Sequence, residues 1–197
     1  MQWLMYELSK RPEAQQKARE EAIRIGGGDN VLRAPDFDDY NNMDYIHGCV
    51  MECLRLHPPV VSMVKTCAKS TKIGKTSIPK GSCIYVNAKA CHLYGEDFNT
   101  TEFTGAQFAP ERFLDKDFKQ KVQTSGAWFP FNMSNRKCIG YMFAQIELCI
   151  MLCRMLQFYE FKLLNDESKP AEKVEDLPGI TFRPSSNLKV LVTRRTK

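Results

Sequence analysis

The chain has 197 residues, 43% hydrophobic and 26% charged, enough for one core and ordinary for a globular domain. Its net charge of +5 is mild, and no basic cluster interleaved with aromatics is present, so nothing in it calls for nucleic acid. Its eight cysteines follow no secretory signal and include no paired CxxC spacing, which points to a reducing compartment and away from structural zinc.

The first residues already carry a helical pattern, in Trp3, Leu4, Tyr6, Glu7 and Leu8, with no targeting segment before them. Ser9-Lys10-Arg11-Pro12 breaks and restarts the helix, Pro12 being suited to a first turn. Glu13 to Ile25 continues it, and Gly26-Gly27-Gly28-Asp29-Asn30 ends it. No Gly-Lys-Ser/Thr follows, so the glycine run is no phosphate loop. Asp39 to Leu56 is the next predicted helix, stopped by Pro58-Pro59. Val60 to Ala68, Thr71 to Ile78 and Ser82 to Asn87 read as strands, with a turn at Pro79-Lys80-Gly81, and a short helix follows over Ala88 to Leu93. Tyr94 to Phe129 reads as mostly loop, and a loop of that length in a compact domain is usually functional.

Ile139 to Phe158 is a long apolar helix of about the length that spans a bilayer. Gln145, Glu147, Arg154 and Gln157 interrupt it, and each mid-span charge would cost roughly 2.5–3.5 kcal/mol, so it reads as a central helix buried on most sides by protein. Strands over Glu160 to Leu164 and Lys189 to Arg194 flank a polar excursion from Asn165 to Pro178. Cys49 with Cys53, and Cys149 with Cys153, lie one helical turn apart in apolar patterns and read as small core residues. His47, His57 and His92 are scattered and form no ligand cluster.

The most informative stretch runs from Phe131 to Gly140, Phe-Asn-Met-Ser-Asn-Arg-Lys-Cys-Ile-Gly. An aromatic stands seven residues before Cys138, an arginine two before and a glycine two after, and the long helix follows at once. A helix N-terminus offers N–H groups and positive dipole to a thiolate. Arg136 offers a donor fork to a carboxylate, Gly140 permits close approach of the backbone to a flat surface, and Phe131 can cover the sulfur. The alternative is a structural thiol, since free cysteine is often buried. The pattern resembles the haem-binding loop of the cytochrome P-450 family. Phe131, Arg136, Cys138 and Gly140 match, whereas Ser134 stands where that family usually has glycine. If that position requires positive φ, Ser134 costs roughly 1 kcal/mol or more.

Two further motifs precede the loop in that family's order: Glu52-Cys53-Leu54-Arg55 with Leu56-His57-Pro58-Pro59, and Ala109-Pro110-Glu111-Arg112-Phe113. Periodicity alone puts Arg55 opposite the stripe of Tyr45, Ile46, Cys49, Val50, Cys53 and Leu54, as one half of a surface ion pair worth well under about 1 kcal/mol. The resemblance implies instead a triad of Glu52, Arg55 and Arg112 that pins the cysteine loop.

The resemblance covers nearly all 197 residues and implies a mainly α fold with small β-sheets (α+β), the C-terminal part of the cytochrome P-450 fold, with the haem-thiolate loop at 129–140. The family's N-terminal half, its membrane anchor and the acid/alcohol pair of its central helix find no counterpart, so no catalytic residue is assigned. By resemblance, Cys138 is the axial ligand of the iron of haem b. Phe131, Arg136, Ile139, Gly140 and Ala144 line the ring, and Lys65 takes the place of an arginine on a propionate, keeping the charge without the fork. A solvent-facing strand residue is the equal alternative for Lys65. Val60, Val61 and Met63 fall on an apolar wall of the substrate pocket. The implied function is insertion of one oxygen atom from O2 into an apolar substrate. Electrons would come from NADPH through a separate reductase or another acidic donor docking near Arg136 and Lys137. The parent would sit on the endoplasmic reticulum membrane. The alternatives are a truncated, non-catalytic haem-binding or interaction protein, and a reductase-independent haem-thiolate peroxide isomerase.

Overall fold

A computed structural model describes residues 1–29, 32–164, 176–177, 181–185 and 187–195. Four helices make the frame: α1 (Gln2–Ser9), α2 (Pro12–Ile25), α3 (Asp44–Leu56) and α6 (Tyr141–Phe158). Their shared core holds Leu4, Leu8, Ala18, Ala22, Ile46, Cys49, Val50, Leu152, Cys153 and Leu156, all essentially without solvent contact. Four short antiparallel pairs lie around them: β1 (Ser62–Thr66) with β4 (Cys83–Asn87), β2 (Thr71–Ile73) with β3 (Thr76–Ile78), β5 (Tyr159–Leu163) with β8 (Val190–Arg194), and β6 (Asp176–Leu177) with β7 (Arg183–Pro184). Two further helices, α4 (Ala88–Tyr94) and α5 (Lys116–Thr124), are short. The expected excursion from Asn165 to Pro178 lies outside the described residues except for β6.

Several expectations need correction. Asp39 to Leu56 is not one helix. A 3-10 turn over Asp38–Asn42 gives way at Met43 (φ −100°, ψ 58°), and α3 begins at Asp44 with no side-chain cap of its own. The cap comes from another helix: Glu21 of α2 accepts the amides of Tyr45 (3.2 Å) and Ile46 (2.8 Å). A carboxylate on two orphan N–H groups at a positive helix end joins α2 to the start of α3. Glu21→Ala is expected to lower stability by about 1–2 kcal/mol, and Glu21→Gln to restore part of it, in urea unfolding at neutral pH.

Thr71 to Ile78 is not one strand but the β2–β3 hairpin, pairing Thr71 with Ile78. Gly74 turns it at φ +58°, a conformation that costs other residues more. The stretch from Tyr94 to Phe129 is mostly loop, as expected, but not throughout. It holds a 3-10 turn at Pro110–Phe113 and all of α5, capped by the Asp115 carboxylate, which accepts the amides of Asp117 (2.9 Å) and Phe118 (3.1 Å).

α6 is not enclosed on most sides. By length and composition it is apolar enough to cross a membrane, yet Cys149, Leu152, Cys153 and Leu156 are fully buried within the protein. Its opposite side leaves Met142, Phe143 (70% exposed) and Met151 uncovered. Its buried cysteines have their thiols pushed up by desolvation, Cys153 to about 12, as expected of core residues.

Candidate functional site

Glu52 and Arg55 lie one turn apart near the end of α3, and Arg112 lies in the Pro110–Phe113 turn. All three side chains are fully buried, so the surface ion pair read from periodicity is not what forms. Arg55 grips Glu52 with its fork, Nε to Oε2 at 2.6 Å and Nη2 to Oε1 at 2.8 Å. Oε1 also accepts Arg112 Nε at 3.2 Å and the Ala109 amide at 2.9 Å. The remaining guanidinium hydrogens go to carbonyls. Arg55 donates to those of His92, Gly105 and Gln107, and Arg112 to those of Phe98, Phe103, Thr104 and Gln107. One carboxylate and two guanidiniums thus fold the whole segment from His92 to Arg112 onto the end of α3. Periodicity could not show this, because the polar face of α3 is covered by an irregular segment rather than by water. The turn can sit this close because residue 48 is glycine; a Cβ there would meet the Pro110 carbonyl oxygen at 2.9 Å.

Past α5, the chain returns to this frame at two anchors. The Trp128 indole N–H donates to the Met51 carbonyl of α3 at 3.2 Å, and the Phe129 amide donates to His92 Nε2 at 3.1 Å. Phe131 then packs between Trp128 and Tyr141, ring centroids 6.3 and 6.4 Å away, and its carbonyl accepts the Cys138 amide at 2.9 Å. That bond closes the loop from Phe131 to Cys138. Within it Asn132 carries the positive φ (67°), whereas Ser134 opens a right-handed 3-10 turn. The left-handed residue of this loop is therefore Asn132, a type that tolerates that region comparatively well. Trp128, Asn132 and His92 carry no site assignment in the sequence reading. A buried indole that must find an acceptor was the signal available for Trp128.

Cys138 itself is exposed, and Gly140 is the N-cap of α6 with no side-chain cap. Ile139 is fully exposed (102%), Phe143 is largely exposed, and Ala144, one turn above Gly140, is half-buried. The Gly140 φ of −87° suits any residue, and a Cβ there would come no nearer than 4.0 Å to the Cys138 sulfur. Among the described residues nothing crowds a Cβ at that position, which leaves the backbone open to close approach. Arg136 is exposed and pairs with no acidic side chain among the described residues. Lys65, on the half-buried face of β1 with Met63, reaches the loop and donates to Asn132 Oδ1 at 3.2 Å. Val60 is exposed and Val61 half-buried, just before β1 on the same arm. An exposed thiol just before a helix N-terminus, followed by uncovered Ile139 and Phe143, with Arg136 on the same loop and Lys65 bonded to that loop, suits an apolar disc with anionic edges. The donor chemistry fits haem.

The histidines do other work. His47 accepts from Lys119 at Nδ1 (3.0 Å) and meets Tyr40 and Gln145 at Nε2, and burial holds its pKa down to about 4. His57 stacks on Trp3 at 4.0 Å and meets Glu7 at 2.7 Å.

The Cytochrome P450 family model matches residues 1–191. The mitochondrial 1,25-dihydroxyvitamin D(3) 24-hydroxylase of Rattus norvegicus is 30% identical over 192 residues, 93% of this chain and 35% of that protein. The 7-deoxyloganic acid hydroxylase of Catharanthus roseus is 32% identical over 165 residues, 82% of this chain and 29% of its own. The crystal structure of a cytochrome P450 (CYP102L1) superposes with a TM-score of 0.81 at 25% identity, covering 99% of this chain and 41% of that one. The fold is thus the mainly α, small-sheet architecture of that neighbour. The chain belongs to the cytochrome P450 family. It spans about a third of the length of the curated relatives it matches.

Proposed function

We propose that this chain is the haem-holding part of a haem-thiolate monooxygenase. The observation that carries the reading is the exposed Cys138, three residues before α6, on a loop tied back to a buried Glu52–Arg55–Arg112 triad. Bound through a cysteine thiolate, haem b supplies activation of O2 for insertion of one oxygen atom into an apolar substrate. This chain's residues then have distinct tasks. Cys138 is the ligand. Phe131 fixes the Cys138 amide through its carbonyl, its ring held between Trp128 and Tyr141 and leaving the sulfur exposed. Ile139, Gly140 and Ala144 offer the surface against the ring, and Arg136 and Lys65 meet its carboxylates, Lys65 leaving Asn132 to do so. Val60, Val61 and Met63 form part of the apolar wall beside it. The cations Arg136 and Lys137 form the rim where an acidic, NADPH-fed electron donor docks. The setting is a membrane-bearing organelle, the endoplasmic reticulum or, as the rat relative's name has it, the mitochondrion.

The test is reconstitution with haem, reduction and addition of carbon monoxide. We expect a Soret band at the thiolate position, lost in Cys138→Ala and kept in Cys149→Ala. A band at the nitrogen-ligand position in the unaltered chain would reject Cys138 as ligand.

A further inference from the structure

His92 is fully buried on α4, and both of its ring nitrogens are taken by backbone groups from two different segments. The Phe129 amide can only donate, so Nε2 is unprotonated and the ring hydrogen is on Nδ1, which donates to the Arg55 carbonyl at 3.1 Å. That carbonyl lies in the last turn of α3, where no intrahelical partner exists. Arg55 returns the contact, its Nη1 donating to the His92 carbonyl at 2.7 Å. The ring also meets Phe98 and Phe129 edge-on, at centroid distances of 5.8 and 4.9 Å. On its other side the contact leads to the cysteine. Phe129 stands two residues before Phe131, whose carbonyl holds the Cys138 amide. Burial keeps the ring neutral, its pKa held down to about 4, so the single-proton tautomer that this bridge needs is the resting one at neutral pH.

We propose that His92 is a positioning residue for Cys138: its imidazole couples the Glu52–Arg55–Arg112 frame to the segment that enters the cysteine loop, and thereby sets where the thiol stands. The consequence for iron ligation rests on the haem-thiolate reading; the coupling of frame and loop does not. Removing the bridge leaves the Phe129 amide with no partner in a buried site, and the loop gains an opening mode independent of the core.

Two substitutions separate this role from simple core filling. Asparagine places an amide N–H where Nδ1 stands, keeping the donor to Arg55 and losing the acceptor for Phe129. Glutamine places a carbonyl near Nε2 and does the reverse. Amide hydrogen exchange of the haem-free chain at neutral pH reads the result. In His92→Asn, exchange at Phe129 and Cys138 is expected to rise about tenfold, the size of one lost hydrogen bond, with Cys149 and Leu152 unchanged. In His92→Gln it should stay within about threefold of the parent chain. Equal acceleration in both variants, or in neither, overturns the proposal. If His92→Asn opens globally, seen as equal acceleration at Leu152, His92→Gln decides. Phe129 protected there supports the bridge, and Phe129 released there rejects it. With haem bound, His92→Asn should move a larger share of the reduced carbon monoxide complex to the nitrogen-ligand position than His92→Gln. Should the unaltered chain give no thiolate band at all, the haem-thiolate reading falls while the exchange measurement still judges the bridge.

Discussion

Glu52→Ala is expected to lower stability by about 3–5 kcal/mol, a large share of what a domain of this size has to lose. The carboxylate is fully buried and accepts four hydrogen bonds, two from Arg55 and one each from Arg112 and the Ala109 amide. Without it, two guanidiniums remain in a buried site without this counter-charge. Burial already pulls the Arg112 pKa down, with Glu52 the largest influence opposing that. Most of the loss should fall on the segment those guanidiniums hold, so proteolysis between Phe98 and Arg112 should precede cleavage in α6. Glu52→Gln keeps the shape and loses the charge, and should fall between. Urea unfolding of the two variants checks the order; a loss under about 1 kcal/mol for Glu52→Ala would place the pair in the class of surface ion pairs and reject this account.

Acid should weaken the fold well before the carboxylates titrate. Unfolded histidine takes up its proton near 6.5, whereas folded His47 and His92 resist protonation down to about 4, in both cases chiefly because they are desolvated. Between those values the unfolded chain binds more protons than the native one, so stability is full above about pH 6.5 and is lost as pH falls through about 4. Each histidine contributes on the order of 3 kcal/mol to that loss. Asp39 acts lower. The Arg33 guanidinium holds its carboxyl down to about 2, so its contribution is present above its ordinary value of 3.8 and disappears beneath it. Urea midpoints at pH 7, 6, 5 and 4.5 should fall steadily, and His47→Gln should remove about half of the slope. A flat profile over that range would mean that both rings protonate freely in the folded protein.

The residue types and their spacing made much legible without coordinates. The helices α1, α2 and α6, the strands β1, β4, β5 and β8, and the three motifs carry strong local signals, a proline in a first turn, alternating apolar residues or a fixed spacing about a cysteine. What sequence reading misplaced depends on partners far along the chain. α3 starts at Asp44 because Glu21, more than twenty residues earlier, caps it. α5 hides in an apparently irregular stretch because its amphipathic signal spans only Phe118 and Val122 behind the Asp115 cap. The α3 face bearing Glu52 and Arg55 looks solvent-exposed by periodicity, and only the packing of residues 92–112 over it turns a weak pair into a buried triad.

The same division holds at the site. That Cys138 heads a helix, with Arg136 and Gly140 at its sides, follows from local order alone, because a motif of ten residues needs no tertiary contact to exist. That the loop is held in place follows from three side chains that no local pattern connects. Trp128 reaches Met51, His92 joins Arg55 to Phe129, and Lys65 reaches Asn132 across 67 residues of chain. Hydrogen bonds of this kind are set by which segments meet in space. The sequence by itself determined the cysteine motif and the family pattern, and only the tertiary structure decided what holds that cysteine still.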